Sequence, residues 1–457
     1  MELYGRKAIY TTAQEINADN VADELAQALS VHNANKVQIK YLENYYRGKQ
    51  DICNKVKLTR EEINHKITEN RAKQIVDFRT AYNCSEAVQY AGTDGEDATT
   101  DAVSKLNKMM TAKGKVGLDR SLFEWGQIGG TAYRYAEQND GSIPFNVYTL
   151  TPYEAFVVYS AGISKKPMMG VYIGVDADNT PIYTVYTETK MFKVKDNALT
   201  NEQDYPFGII PIIEYPANPF RLGAFEPVIS VLDQINNTQS DRADAIQGFV
   251  QSLLVFYNCE LGADEDGNEV TPEFIRQAGA IFLKTVGENK ADIKEIASNL
   301  DQQQTQTYKD DLWQSALEIV GMPSQSDGSS SDSSNNGSTF LKNGWQSAEA
   351  VAKSADIMFD SSETRFLELI LRICRDLSDI NLDITQIEVK HPRRNYEDML
   401  SKTQMLIQLL SNDKVHPKFA YQVANLVADN ENAYKMGVEW FKEVDTATEE
   451  VEEVVDE

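Results

Sequence analysis

Apolar residues recur every three or four positions through the first fifty residues, as Val21, Leu25, Ala28 and Leu29 and then Val37, Tyr41, Leu42 and Tyr45. That spacing predicts two helical segments, with Asp19 or Asn20 able to cap the first and Gly48 closing the second. A third helix is expected over NHKITENRAKQIVDFRTAYN, where Ile67, Ile75, Phe78 and Tyr82 keep near-helical spacing and Asn70 offers a start cap. Two more are expected around Thr99 to Ala112 and Asp119 to Gly126.

From Thr131 the period falls to two. Short runs rich in Tyr, Val and Phe follow one another: TAYRYAE, FNVYTLT, AFVVYS, MMGVYIGV, IYTVYTE and KMFKVK. The turn sequences NDGS, SAGISKKP and DADNTP separate them, which predicts an antiparallel meander. PFGIIPIIEYPANP reads as a last strand with a proline-rich exit, and Gly126, Gly129 and Gly130 mark the joint between helices and sheet.

After Gly223 the pattern is helical again. Phe225, Val228, Ile229, Leu232, Ile235, Ile246, Phe249, Val250, Leu253 and Leu254 predict a helix of about thirty residues, ~45 Å long. Its middle, NNTQSDRAD, is polar on nearly every side, so it requires water or a polar partner. ELGADEDGNEVTPEFIRQAGAIFLKTV reads as a turn, a short helix and a strand, and helix resumes from Asp301 to Val320. Eight serines then fall between Pro323 and Thr339, with nothing apolar before Phe340. Beyond them Phe340, Trp345, Ala348, Val351, Ala352, Ala355, Phe359, Phe366, Ile370, Ile373 and Leu377 step by three and four over ~57 Å, more than a small domain's own core would cover. A short strand ITQIEVK and helices at Tyr396 to Leu410 and Pro417 to Phe441 follow. The end, EVDTATEEVEEVVDE, has eight acidic residues and no basic one, and reads as a solvated tail.

Length and charge narrow the function. At 457 residues two or three structural regions are expected, and a hydrophobic content of 42% is enough to build cores. With 70 acidic against 44 basic residues the formal charge is −26, a field that repels nucleic acid and anionic membranes at long range. Cys53, Cys84, Cys259 and Cys374 have no metal-ligand or CxxC spacing and read as reduced thiols. No signal peptide and no membrane span is read from the pattern, so a soluble, cytoplasmic product is expected.

Catalytic chemistry finds little support. Gly48-Lys49 and Gly114-Lys115 are followed by Gln and Val, so the phosphate loop of an ATPase is missing. Asp264, Glu265, Asp266, Gly267, Asn268 and Glu269 imitate the start of a calcium loop, but Gly sits at the fourth place and Ile275 at the twelfth, which favours a hairpin turn. His32, His65, His391 and His416 have no second ligand at metal spacing. Asp176 and Asp178 look like paired carboxylates yet fit a tight turn better. The basic run His391, Pro392, Arg393, Arg394 could meet phosphate or a neighbour's carboxylates; a solvated strand exit is favoured.

The element order, together with NHKITENRAKQIVDFRTAYN, PFGIIPIIEYPANP, EPVISVLDQINNTQSDRADAIQGF and GMPSQSDGSSSDSSNNGSTFLKNGWQSAEAVAK, resembles the portal proteins of tailed bacteriophages, of the siphovirus type, over about residues 30 to 440. The resemblance implies an α+β, mainly helical chain with wing, stem, clip and crown, assembled as a cyclic homo-oligomer, usually of twelve subunits. It implies no enzymatic activity and no cofactor. The assembly would sit in the virion at the capsid portal vertex, after a host-cytoplasm stage during assembly, and pass double-stranded DNA during packaging and ejection. Its partners would be the large terminase, a head-completion adaptor and the major capsid and scaffolding proteins, with no membrane.

On this resemblance residues 1–223 form the wing, 224–257 and 301–320 the two stem helices, and 258–300 the clip. The tunnel loop is 321–339, the long wing helix and returning strand 340–396, the crown 397–442 and the acidic tail 443–457. Candidate DNA-channel residues in and beside the loop are Ser324, Ser326, Asp327, Ser329, Ser330, Ser331, Asp332, Ser333, Ser334, Asn335, Asn336 and Lys342. Asn237, Gln239, Asp241 and Asp244 are candidate channel-lining stem residues, and Asp264, Glu265, Asp266 and Glu269 candidate partner-binding residues of the clip. Between Pro323 and Thr339 there is no Lys or Arg, only Asp327 and Asp332 as charges, so a slippery polar collar is expected over a phosphate clamp. The competing readings are another capsid or adaptor assembly without a DNA channel, a hydrolase using Asp176/Asp178 or Asp264/Asp266, and a monomeric helical adaptor.

Overall fold

One helix, α1 (Val21–Tyr46), runs where two segments were expected. The apolar stripe is broken at His32 and Asn35, yet both side chains are buried. Asn35 continues the inward face by hydrogen bonding, accepting from the Lys7 N–H at 3.0 Å and donating to the Lys7 carbonyl at 2.8 Å. A buried amide with both ends satisfied fits a core that hydropathy alone would interrupt there.

The computed structural model describes residues 5–57, 61–94, 96–250, 253–257, 259–261, 283–285, 292–296, 302–323, 345–393, 399–424, 426, 430 and 432–442, with backbone alone for 248–250, 253–257, 259–261, 283–285, 292–296 and 399–401. The chain divides into two units: Met1–Lys49, Asn70–Ile229 and Ser315–Glu457 form the first, Gln50–Glu69 and Ser230–Gln314 the second. Residues 50–69, expected from sequence to belong with the rest of 1–223, thus cluster with residues 230–314.

In the first unit α2 (Arg71–Asn83), α3 (Asp97–Ala112) and α4 (Lys115–Gly129) precede the strand-rich run from Thr131 to Pro216. Helix α2 is shorter than expected: Asn70 caps it by accepting from the Lys73 N–H at 3.3 Å, and residues 63–69 before it are not helical. The expected single meander is two sheets. Strands β5 (Ala155–Ser160), β6 (Pro167–Val175), β7 (Pro181–Tyr186), β8 (Lys190–Lys195) and β9 (Ala198–Asp204) form an antiparallel meander. Its far edge is extended by β1 (Ile9–Thr11), parallel to β5. Strands β3 (Thr131–Gln138) and β4 (Phe145–Leu150) instead join β10 (Ile212–Pro216), in the order β10-β3-β4. A third pairing, β2 (Gln89–Gly92) with β15 (Ile387–Lys390), ties the returning strand to the N-terminal half.

The long helix is α7 (Trp345–Leu377). Its Phe359, Phe366, Leu367, Ile370 and Ile373 pack with Phe123, Ala132, Phe145, Ile213 and Tyr215 in one core, and Phe359 stacks on Phe123 at 4.9 Å. Inside that core lie four charges, two of each sign. Glu363 of α7 accepts from Arg134 Nη1 at 2.8 Å, and from the hydroxyls of Tyr90 and Tyr215 at 2.6 Å each; the Lys115 ammonium lies 3.0 Å away. Asp119 takes the other sides of Lys115, at 2.6 Å, and of Arg134. Burial alone would raise the Glu363 carboxyl, but Lys115, Arg134 and the two phenols hold it well below the ordinary carboxylate range. Buried charge of this kind persists only when each group is paired, so the quartet fixes the depth and rotation of α7 on β3.

Helix α5 (Ile229–Val250), which belongs to the second unit from Ser230 on, has 22 residues and follows a 3₁₀ turn at Glu226–Val228. The thirty-residue helix expected from the sequence ends early because Leu253 and Leu254 belong to strand β11 (Leu253–Tyr257), antiparallel to β14 (Asp292–Ile296). Strands β12 (Cys259–Leu261) and β13 (Leu283–Thr285) pair beside them in sequence, and α6 (Gln302–Val320) follows, its residues from Ser315 on belonging to the first unit. The last described helices are α8 (Met399–Leu410), α9 (Pro417–Ala424) and a run over 432–442, where one helix from Pro417 to Phe441 was expected.

Candidate functional site

The polar middle of α5 has a polar partner. Asn236, Ser240 and Asp244 stand four residues apart, one turn each, and all three are buried. Antiparallel to them runs the segment before α2: the Glu69 N–H donates to Asn236 Oδ1 at 2.8 Å, the Ile67 N–H to Ser240 Oγ at 3.0 Å, and the His65 N–H to Asp244 Oδ1 at 2.7 Å. Alternate residues of an extended chain advance roughly 6.6 Å and four helical residues roughly 6 Å, so the two periods match over this length. The strap satisfies the small polar side chains of the helix, and they satisfy its main chain.

The four stem candidates are therefore placed differently from one another. Asp244 is buried under the strap, with Lys57 Nζ 3.2 Å from Oδ2 and His65 Nδ1 2.8 Å from Oδ1. Burial pushes its carboxyl up, and the bonds from His65 and Lys57 outweigh that and hold it below its ordinary value. A channel-lining role for Asp244 does not fit this burial. Asp241 is mostly exposed and accepts from Lys55 Nζ at 2.6 Å. Gln239 accepts from Lys309 Nζ of α6 at 3.3 Å, and Lys309 also pairs with Glu69 at 2.9 Å. Asn237 is half-buried. Arg242 adds a second tie between the helices through Gln302 and Gln306, the latter at 2.7 Å.

The serine-rich candidates and Lys342 fall outside the described residues, as do Asp264, Glu265, Asp266 and Glu269. The feet of the serine-rich segment are described, and both lie in the first unit. At the first foot α6 ends in a left-handed turn: Gly321 has φ +66°, its N–H donates to the Glu318 carbonyl at 3.2 Å, and the Met322 N–H donates to the Leu317 carbonyl at 2.9 Å. A Cβ on Gly321 would stand 2.7 Å from Val351 Cγ2, so this turn lies against the second turn of α7. The turn closes the Leu317 and Glu318 carbonyls and leaves that of Val320 free, which accepts from Arg79 Nη2 of α2. Among the described residues Arg79 has no carboxylate partner; burial draws its pKa down to about 10, leaving it charged at neutral pH beside the negative end of α6.

At the second foot Trp345, the first residue of α7, packs against the same helix. Its ring centroid lies 5.9 Å from Phe78 and 6.0 Å from Tyr82, and those two rings stack at 5.8 Å. The Tyr82 hydroxyl donates to Glu349 Oε2, one turn further along α7, at 2.8 Å. Phe78 and Tyr82 read in the sequence as an ordinary core stripe. Arg79 was missed, although an arginine flanked by inward-facing Ile75, Phe78 and Tyr82 is the signal that could have marked it.

Two other candidates find their partners within the chain. Arg393 pairs with Glu349 at 3.3 Å and with Asp356, and His391 Nε2 lies 2.7 Å from Asp360, so this basic run binds the carboxylates of its own α7 rather than ending in solvent. Arg394 lies outside the described residues. Asp176 accepts from the N–H groups of Asp178 at 3.0 Å and Thr180 at 2.8 Å and from Lys195, the bonding of the tight turn between β6 and β7. Among the described residues no group of three His, Cys, Asp or Glu could hold a metal ion, and no helix is long and apolar enough to cross a membrane.

No curated protein sequence matches the chain. Solved structures similar to it include the neck of a native GTA particle computed with C12 symmetry, at 13% identity and TM-score 0.39, covering 78% of this chain and 89% of that one. The neck of an empty GTA particle computed with C6 symmetry is similar at 13% identity and TM-score 0.39, covering 78% and 90%. The virion of a native gene transfer agent particle is similar at 12% identity and TM-score 0.38, covering 78% and 89%. The family model described as "Phage portal protein, SPP1 Gp6-like" matches residues 25–457, the strap, α5, α6 and both feet included, and the chain belongs to that family of phage portal proteins.

Proposed function

We propose that the chain assembles into a closed ring, of twelve subunits, at the capsid vertex and serves as the conduit for double-stranded DNA during packaging and ejection. The family is a structural one. The observation that carries the ring is uncovered apolar surface on its helices: Ile319 of α6 is 59% exposed and Ile357 of α7 is 71% exposed. A cyclic array covers such positions with the neighbouring copy. With −26 formal charges per chain, the array presents DNA with a field that favours sliding over adhesion.

In this reading α5 and α6 are the stem, the segment between them is the clip that docks the large terminase and then the head-completion adaptor, and the C-terminal helices are the crown. Residues 1–223 with 340–396 are the wing, against which the major capsid and scaffolding proteins assemble. The serine-rich segment is a collar displayed once per subunit, its Ser and Asn groups exchanging hydrogen bonds with passing DNA, and Asp264, Glu265, Asp266 and Glu269 of the clip are partner contacts. Native mass measurement of the purified chain tests the assembly. A single large multiple of 51.3 kDa is expected, and a stable 51.3 kDa species as the only form removes the reading.

A further inference from the structure

Arg79 of α2 holds the end of α6, and Phe78 and Tyr82 of the same helix hold the start of α7. These three residues lie within one turn and a little more of α2, so the two helix ends that flank the serine-rich segment, at Val320 and Trp345, are fastened to one short face. We propose that α2 is a pedestal that sets the position of both feet together, with Arg79, Phe78 and Tyr82 as its positioning residues.

The pedestal is built to stay still. Ala72, Ile75 and Val76 are fully buried, and Asn70 caps the helix start. Arg79 meets a backbone carbonyl that the terminal turn of α6 leaves open, so its bond reports the place where α6 stops and no particular side chain. The aromatic clasp does the same for α7, because Trp345 is its first residue and Glu349 its second turn. A rotation of α2 therefore moves both feet in one direction. Independent anchors would let them part. The consequence for DNA passage rests on the portal reading, whereas the coupling of the two feet does not.

Amide hydrogen exchange on the full-length, assembled chain tests the coupling, with Arg79→Met, which keeps the aliphatic stem and removes the donor, and Arg79→Lys, which keeps a donor. Arg79→Met is expected to speed exchange about tenfold at Gly321 and Met322 and also at residues 345–350, while β6 to β8 are unchanged. Arg79→Lys is expected to recover part of the protection at both feet. Acceleration confined to Gly321 and Met322, an equal rise throughout the meander, or no recovery with lysine would each overturn the proposal. If Arg79→Met does not assemble, Tyr82→Phe, which drops the bond to Glu349 and keeps the aromatic contacts, is read the same way from the other foot: exchange must rise at Gly321 and Met322 as well as at 345–350. Coupled feet with unaltered DNA packaging would count against the portal reading alone; altered packaging with uncoupled feet would count against the pedestal alone.

Discussion

Replacing Glu363 by Gln removes one negative charge from a buried set of two cations and two anions. The glutamate is fully buried and accepts from Arg134, Lys115, Tyr90 and Tyr215; after the change Arg134 and Lys115 keep only Asp119 as a charged partner. Breaking a buried pair by removing one member costs about 3–5 kcal/mol, and the surviving Asp119 contacts put the expected loss near the lower end, about 3 kcal/mol. Urea unfolding at fixed protein concentration, followed through the aromatic signal of the α7 core, measures it. A loss below about 1 kcal/mol would refute the claim that the quartet fixes α7. The pH dependence gives an independent sign. The folded carboxyl is depressed below its ordinary value of 4.5, so its stabilisation is complete above that value and is lost as pH falls through the depressed one. The glutamine variant lacks this group's part of the acid limb, so its deficit narrows on acidification.

Asn236→Ala removes the acceptor of the Glu69 N–H, a part-buried bond of the strap, and the buried donor to Gln50, at about 1–3 kcal/mol for each group left unsatisfied. Exchange at the amides of Ile67 and Glu69 is expected to accelerate; unchanged protection there would show that the strap is held by something other than this stripe. Shortening the serine-rich segment to a few glycines is expected to impair DNA packaging while assembly, read by native mass, stays intact. Packaging at the unmodified level would remove the collar from the account.

Much of the secondary structure was legible because periodicity and capping agree locally. Asn70 caps α2 as its type suggests, and β3 to β8 follow their alternating runs. The misses share a physical cause: contacts distant in sequence decided them. Ile67 keeps helical spacing, but its N–H is taken by Ser240, so the segment runs as a strap. Strand β1 has only three residues and forms because β5 offers an open edge. The polar stretch of α5 correctly demanded a polar partner, yet nothing local says that the partner is residues 65–69. For the same reason Asp244 reads as a channel carboxylate until the strap covers it, and Arg393 reads as a free cation until Asp356 and Glu349 stand beside it. The two helices that flank the serine-rich run were legible from their spacing; the clasp of α2 on their ends was not, because Arg79, Val320 and Trp345 are far apart along the chain.

If copies of this chain enclose a passage for duplex DNA, electron microscopy of the assembled particle at a resolution that traces helices will image that passage. The expected result is a closed ring with a central opening wide enough for a duplex, Ile319 and Ile357 covered by neighbouring copies, and the segments that join α6 to α7 directed into the opening. A particle with no axial opening, or one in which those segments face outward, would contradict it.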